Sequence, residues 1–212
     1  MNYMYIPKSF AVEDDQTLAE FIANNSFATL TNMSDGALCA THLPLIHDPT
    51  QGEAGALLGH MARANSHWRS FDGTAEALAI FYGPHAYISP TWYAVAPAVP
   101  TWNYAVVHVY GVPRIVEDEE WLAALVDHLV AVYESGQPRP WSGELPADFK
   151  AGLLRAIVGF TLDITRVEGK FKLGQNRSPE DQQNLVRRLG EQADPAARAL
   201  GAFTAAQLDS PA

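Results

Sequence analysis

The chain of 212 residues reads as an antiparallel, mostly β fold of the α+β class, with about six strands and peripheral helices. Three observations predict it. Short runs of apolar and polar residues alternate between turn signals. Ser34-Asp35-Gly36 separates two such runs, and Asp-Gly is a hairpin signal. The helical patterns carry their own start residues and lie outside the strand runs. Antiparallel strands in this number close into a barrel or pack as a sandwich.

In chain order, Asp14 and Asp15 can cap a short helix whose Leu18, Phe21 and Ile22 share one face. Strands are expected over 27–32, 37–46 and 56–61, with a turn cluster at 48–55. Residues 62–77 are polar and read as a loop with at most one helical turn. A short strand over 78–82 should stop at Gly83-Pro84, and a long aromatic loop should run from His85 to Trp102, broken by Pro90, Pro97 and Pro100. A loop of that length in a compact domain is often functional. A long strand over 104–116 follows, with Gly111 marking a bulge or bend.

Asp118 opens a helix with Trp121, Leu125, Leu129 and Val132 on one stripe. Trp141 sits in a proline-rich loop, and 148–158 forms a shorter helix. Residues 160–167 read as a strand that 169–173 extends after a turn. Ser178-Pro179-Glu180-Asp181 is a strong helix start, and Asp194-Pro195 begins a last, alanine-rich helix.

Composition narrows the function classes. The chain is 48% hydrophobic, enough for a full core. Its 18% charged residues fall below the usual level of about 25%. A net charge of -10 repels phosphate backbones and disfavours generic nucleic-acid binding. Arg187 and Arg188 form the one adjacent basic pair, read as a solvated helix face. The single cysteine, Cys39, excludes an internal disulfide, fits a reducing compartment and reads as a small core residue. No signal-type apolar core opens the chain and no stretch has membrane-spanning length, so a cytoplasmic, unprocessed protein is expected, without a membrane partner.

The seven histidines show no zinc-type spacing, so no metal site is assigned. Neither a G-x-S-x-G element nor a Gly-rich phosphate loop is present. Aromatic and hydrogen-bonding residues instead concentrate at strand ends: Ala40 to Leu45, Gly59 to Asn65, Gly83 to Tyr93, Pro100 to Tyr104 and Lys170 to Arg177. Aromatic walls with nearby Arg, Lys, Thr and Asn suit a flat ligand with an anionic tail. The same aromatics also suit a core or a subunit interface.

Those segments, with Met4-Tyr5-Ile6-Pro7-Lys8-Ser9-Phe10 and Asn25 to Leu30, resemble the PaiB family of FMN-binding negative transcriptional regulators. The likeness runs in order over nearly the whole chain, with one departure at Gly174, where Ser is expected. It implies an antiparallel split β-barrel related to pyridoxamine-phosphate oxidases and flavin reductases. It also implies a homodimer with FMN in the groove between subunits. Residues 1–174 would form the FMN-binding domain and 175–212 a helical extension packed on it.

By motif, the resemblance puts Thr41 and His42 beside the isoalloxazine. It puts His60, Arg63 and Asn65 near the phosphate or ribityl chain, Arg63 being the charge partner. Asn103 and Tyr104 would come from the adjacent strand. Lys172, Gln175 and Asn176 would complete the groove. Two functions stay open: a transcriptional regulator that meets DNA or another regulator, and an FMN-dependent reductase of a small substrate. No catalytic acid or base stands out.

Overall fold

The computed structural model describes residues 4–209. Eight strands and five α-helices follow one another. The strands are β1 (Ala11–Val12), β2 (Phe27–Ser34), β3 (Ala37–Pro44), β4 (Ile46–Asp48), β5 (Ala56–Ala62), β6 (Ala77–Ile88), β7 (Thr101–Val116) and β8 (Ile157–Lys172). The helices are α1 (Asp15–Asn24), α2 (Glu119–Glu134), α3 (Ala147–Arg155), α4 (Pro179–Gly190) and α5 (Pro195–Asp209). The sheet order is β3-β2-β6-β7-β8-β5-β4, with β1 on β8, and every pairing of known register is antiparallel.

Local chemistry explains most boundaries. Asp35 and Gly36 take positive φ values of 50° and 78°, the left-handed pair that a tight hairpin needs between β2 and β3. Asp14 accepts from the Thr17 amide, Asp118 from the Trp121 amide and Ser178 from the Asp181 amide, so each predicted cap is made.

Five expectations need correction. The sheet has eight strands rather than six, the extra ones being the short β1 and β4. β6 does not stop at Gly83-Pro84 but continues to Ile88. β2 pairs only with Leu78–Ile80, so beyond that point β6 has a neighbour on one side and Pro84 needs no ladder donor there. β8 runs unbroken through Gly169. That glycine serves close approach rather than a turn, because a Cβ there would meet Leu18 and Val12. On α2 the buried stripe is Leu122, Leu125 and Leu129, while Val132 is exposed. Cys39 is half-buried on the edge strand β3 rather than in the core.

The chain forms two compact units. One comprises 1–21, 82–108 and 168–212. Its core packs Phe21 on Phe171 at 5.0 Å and Phe203 edge-on to Phe171 at 5.2 Å, with α4 lying along α5. The other comprises 22–81 and 109–167. Its core holds Leu30, Leu45, Leu57, Phe81, Phe160 and Leu162, all essentially inaccessible. Among the described residues no helix is long and apolar enough to cross a membrane.

Candidate functional site

Of the ten residues marked by the resemblance, Thr41, His42, His60, Arg63 and Asn65 lie in the unit of 22–81 and 109–167. Asn103, Tyr104, Lys172, Gln175 and Asn176 lie in the other.

In the first group, strand alternation separates the neighbours Thr41 and His42. His42 is exposed and bonds Thr29, its cross-strand partner, at 3.0 Å. Thr41 faces the opposite way, into a polar network centred on His67, a residue that spacing had not marked. His67 is 5% exposed. Its Nε2 lies 2.9 Å from Asn32 Oδ1 and its Nδ1 2.8 Å from Thr41 Oγ1. Asn65 Nδ2 donates to Thr41 Oγ1, and Asn65 Oδ1 accepts from the His67 amide at the start of a 3-10 turn over Ser66–Ser70. Asn32 Nδ2 donates to Ser70 Oγ, which donates to the His67 carbonyl.

Asn32 Oδ1 can only accept, so a neutral His67 carries its proton on Nε2 and the Thr41 hydroxyl donates to Nδ1. Burial pushes the His67 pKa down, in agreement. Thr41 thus gives its hydroxyl proton to His67 and anchors the loop that carries Arg63 and Asn65.

Arg63 pairs with Glu117 at 2.8 Å, donates to the Arg155 carbonyl and stands over Trp68. His60 sits opposite Gly159 on β5–β8. Its Nδ1 is buried and has no hydrogen-bond partner among the described residues, and burial lowers its pKa.

In the second group, Asn103 on β7 is 2% exposed and its Nδ2 also lacks a partner. Gly174 has φ +92°, and a Cβ there would come within 3.0 Å of Leu185. The glycine at the one departure from the family pattern is therefore what this backbone requires. Lys172 donates to Thr101. Gln175 spends its side chain on the turn, accepting from the Leu173 amide and donating to the Phe171 carbonyl. Asn176 is exposed. Tyr104 lies under the Lys170 ammonium at 5.3 Å and borders a cavity of about 520 Å³.

Comparison with known proteins shows the family. The family model described as "Putative FMN-binding domain" matches residues 4–166. Protease synthase and sporulation protein PAI 2 of Bacillus subtilis is 36% identical over 199 residues, covering 93% of this chain and 94% of that protein. This chain belongs to the FMN-binding PaiB family.

The family's fold is matched by solved structures too. The flavocytochrome Anf3 from Azotobacter vinelandii superposes with a TM-score of 0.63 at 16% identity, over 86% of this chain and 80% of that one. The FAD and heme binding protein from Mycobacterium smegmatis does so with 0.59 at 13%, over 82% and 78%. These likenesses speak to fold: the sheet is that of an antiparallel split β-barrel flavoprotein. FMN is the family's cofactor.

The residues present fit such a group. Buried polar atoms in folded proteins are almost always paired. Among the described residues each unit leaves one such atom over at a marked residue, His60 Nδ1 in one and Asn103 Nδ2 in the other. Flavin carbonyls, ribityl hydroxyls and a phosphate are the partners such atoms take.

Proposed function

We propose that this protein works as a homodimeric FMN-binding protein whose marked polar residues hold the flavin. The observation that carries the reading is an unsatisfied buried group at a marked residue in each unit, His60 Nδ1 in one and Asn103 Nδ2 in the other. Asn103 donates an amide N–H to a flavin or ribityl oxygen. Neutral His60 offers a ring nitrogen. Lys172 and Arg63 supply positive charge. The Arg63–Glu117 pair is solvent-exposed and worth at most about 1 kcal/mol, so a phosphate dianion can compete for the guanidinium. Bound FMN supplies hydride and electron transfer, while the protein supplies position and electrostatics.

A second subunit is favoured by the exposed rings Tyr82, Tyr87 and Trp102, at 57%, 48% and 53% exposure. Aromatic residues of this kind are enriched in subunit interfaces. Control of transcription, which the family resemblance implies, would run through a partner or a ligand-dependent change of the dimer rather than through direct DNA contact. At the end of α4, Glu191 pairs with both Arg187 and Arg188, leaving little free positive charge. Reduction of a small molecule is the second reading, favoured by the cavity beside Tyr104.

The test is FMN titration of purified protein, followed by difference absorbance. Saturable uptake is expected, one FMN per chain. His60→Ala and Asn103→Ala should each weaken it by about tenfold, as for one lost buried hydrogen bond. Absence of any flavin difference spectrum, or affinity indifferent to both substitutions, overturns the assignment. A gel shift on upstream DNA at rising salt should show no strong salt-dependent binding. A steep slope would indicate direct phosphate contact.

A further inference from the structure

The cavity of about 520 Å³ lies within the unit of 1–21, 82–108 and 168–212. Strands β6, β7 and β8 build it, and Met4 and Tyr5 of the N-terminal segment also line it. Its walls are aromatic: Tyr82, His85, Trp102 and Tyr104 line it, and the His85 and Trp102 rings stand 5.7 Å apart.

The unusual lining residue is Lys170, which is 7% exposed. Its ammonium donates one hydrogen bond, to the Tyr5 carbonyl at 2.8 Å, and lies 5.3 Å from each of the Tyr5 and Tyr104 rings. It makes no ion pair among the described residues. A buried ammonium with one acceptor is costly unless an anion or further acceptors complete its shell. Glu168, two residues earlier on β8, accepts from the Met4 amide and acts on His108.

An aromatic-lined cavity with one under-coordinated cation at its wall is chemically selective. The rings take an aromatic plane by stacking, and the two remaining ammonium donors take a carboxylate at its edge. Aliphatic acids would lack the stacking, and neutral aromatics the charge.

We propose that this cavity is a binding site for a planar aromatic carboxylate, oriented by Lys170 and stacked against Trp102. The inference deepens the redox reading by naming the class of small molecule that would meet the flavin. It is nevertheless tested by binding alone, so its failure is distinct from failure of flavin binding.

The experiment is calorimetric titration of the full chain with 2-naphthoate, 2-naphthamide and hexanoate, with and without saturating FMN. One naphthoate per chain is expected, at least about tenfold tighter than naphthamide or hexanoate. Lys170→Met should erase the preference for naphthoate over naphthamide while leaving naphthamide affinity unchanged. Retained naphthamide binding then also reports that this variant is folded. Trp102→Ala should weaken both aromatics without changing the mass seen by light scattering, which separates loss of stacking from loss of the subunit contact assigned to the same ring.

Equal affinity for acid and amide overturns the proposal, as does an unchanged preference in Lys170→Met or the absence of naphthoate binding. Displacement of naphthoate by FMN overturns it as well, since the cavity would then hold the flavin itself. Flavin uptake is read separately by absorbance in the same samples.

Discussion

At the scale of the residue, the most informative side chain is His67. It joins Asn32, Thr41, Asn65 and Ser70 through bonds of 2.7 to 3.0 Å, and both ring nitrogens of neutral His67 find partners in that network. Thr41→Val keeps the shape and removes the hydroxyl, leaving His67 Nδ1 and an Asn65 donor unpaired. The expected loss is about 1–3 kcal/mol of stability in urea unfolding. An unchanged midpoint would show that the network holds nothing.

The same group predicts a pH response. Burial lowers the pKa of His47, His60, His67 and His108 below the ordinary 6.5. Above that value both folded and unfolded chains are neutral at these sites, and stability is complete. As pH falls below 6.5 the unfolded chain takes up protons that the folded chain refuses, so stability declines until the lower folded values are reached. The melting temperature should therefore fall as pH drops from about 7 to about 5, with a shallower slope in His67→Gln. A flat profile for the native chain would contradict the burial of these rings.

At the scale of the element, strand glycines decide how closely neighbouring pieces approach. Gly111 on β7 was expected to mark a bulge or bend. In the structure a side chain there would collide with Leu162 and with the Asp163 carbonyl of β8, one of which is backbone and cannot yield. Gly111→Ala should cost about 1–3 kcal/mol or more through overpacking. Gly136→Ala is the control, because nothing lies within 4 Å of that position. Denaturant midpoints of the two variants should differ clearly. Equal midpoints would mean that the β7–β8 contact relaxes freely.

At the scale of the whole molecule, cofactor binding and assembly are each read by one measurement. FMN at a hundredfold excess over its dissociation constant should raise stability by about 2.7 kcal/mol if it binds only the folded chain. The thermal shift should shrink in His60→Ala and Asn103→Ala. Light scattering should give twice the chain mass of 23.1 kDa. A mass of one chain, with Tyr82 and Trp102 facing water, would remove the groove between subunits on which the FMN proposal rests.

Local chemistry was readable directly from the sequence. The Asp35-Gly36 hairpin, the caps at Asp14, Asp118 and Ser178 and the alternation along β2 depend on residues a few positions apart, and the structure reproduces them. The motif order also disclosed the family, because it spans nearly the whole chain. What depends on remote neighbours had to wait for the tertiary structure. Whether Pro84 ends a strand depends on how far β2 reaches along β6, and whether Gly169 turns or packs depends on Leu18 and Val12. His67, unmarked by spacing, and Lys170, known only within a broad motif, acquire their meaning from burial beside partners tens of residues away or more. Hydrogen-bond satisfaction is a property of the packed interior, and no stretch of sequence carries it alone.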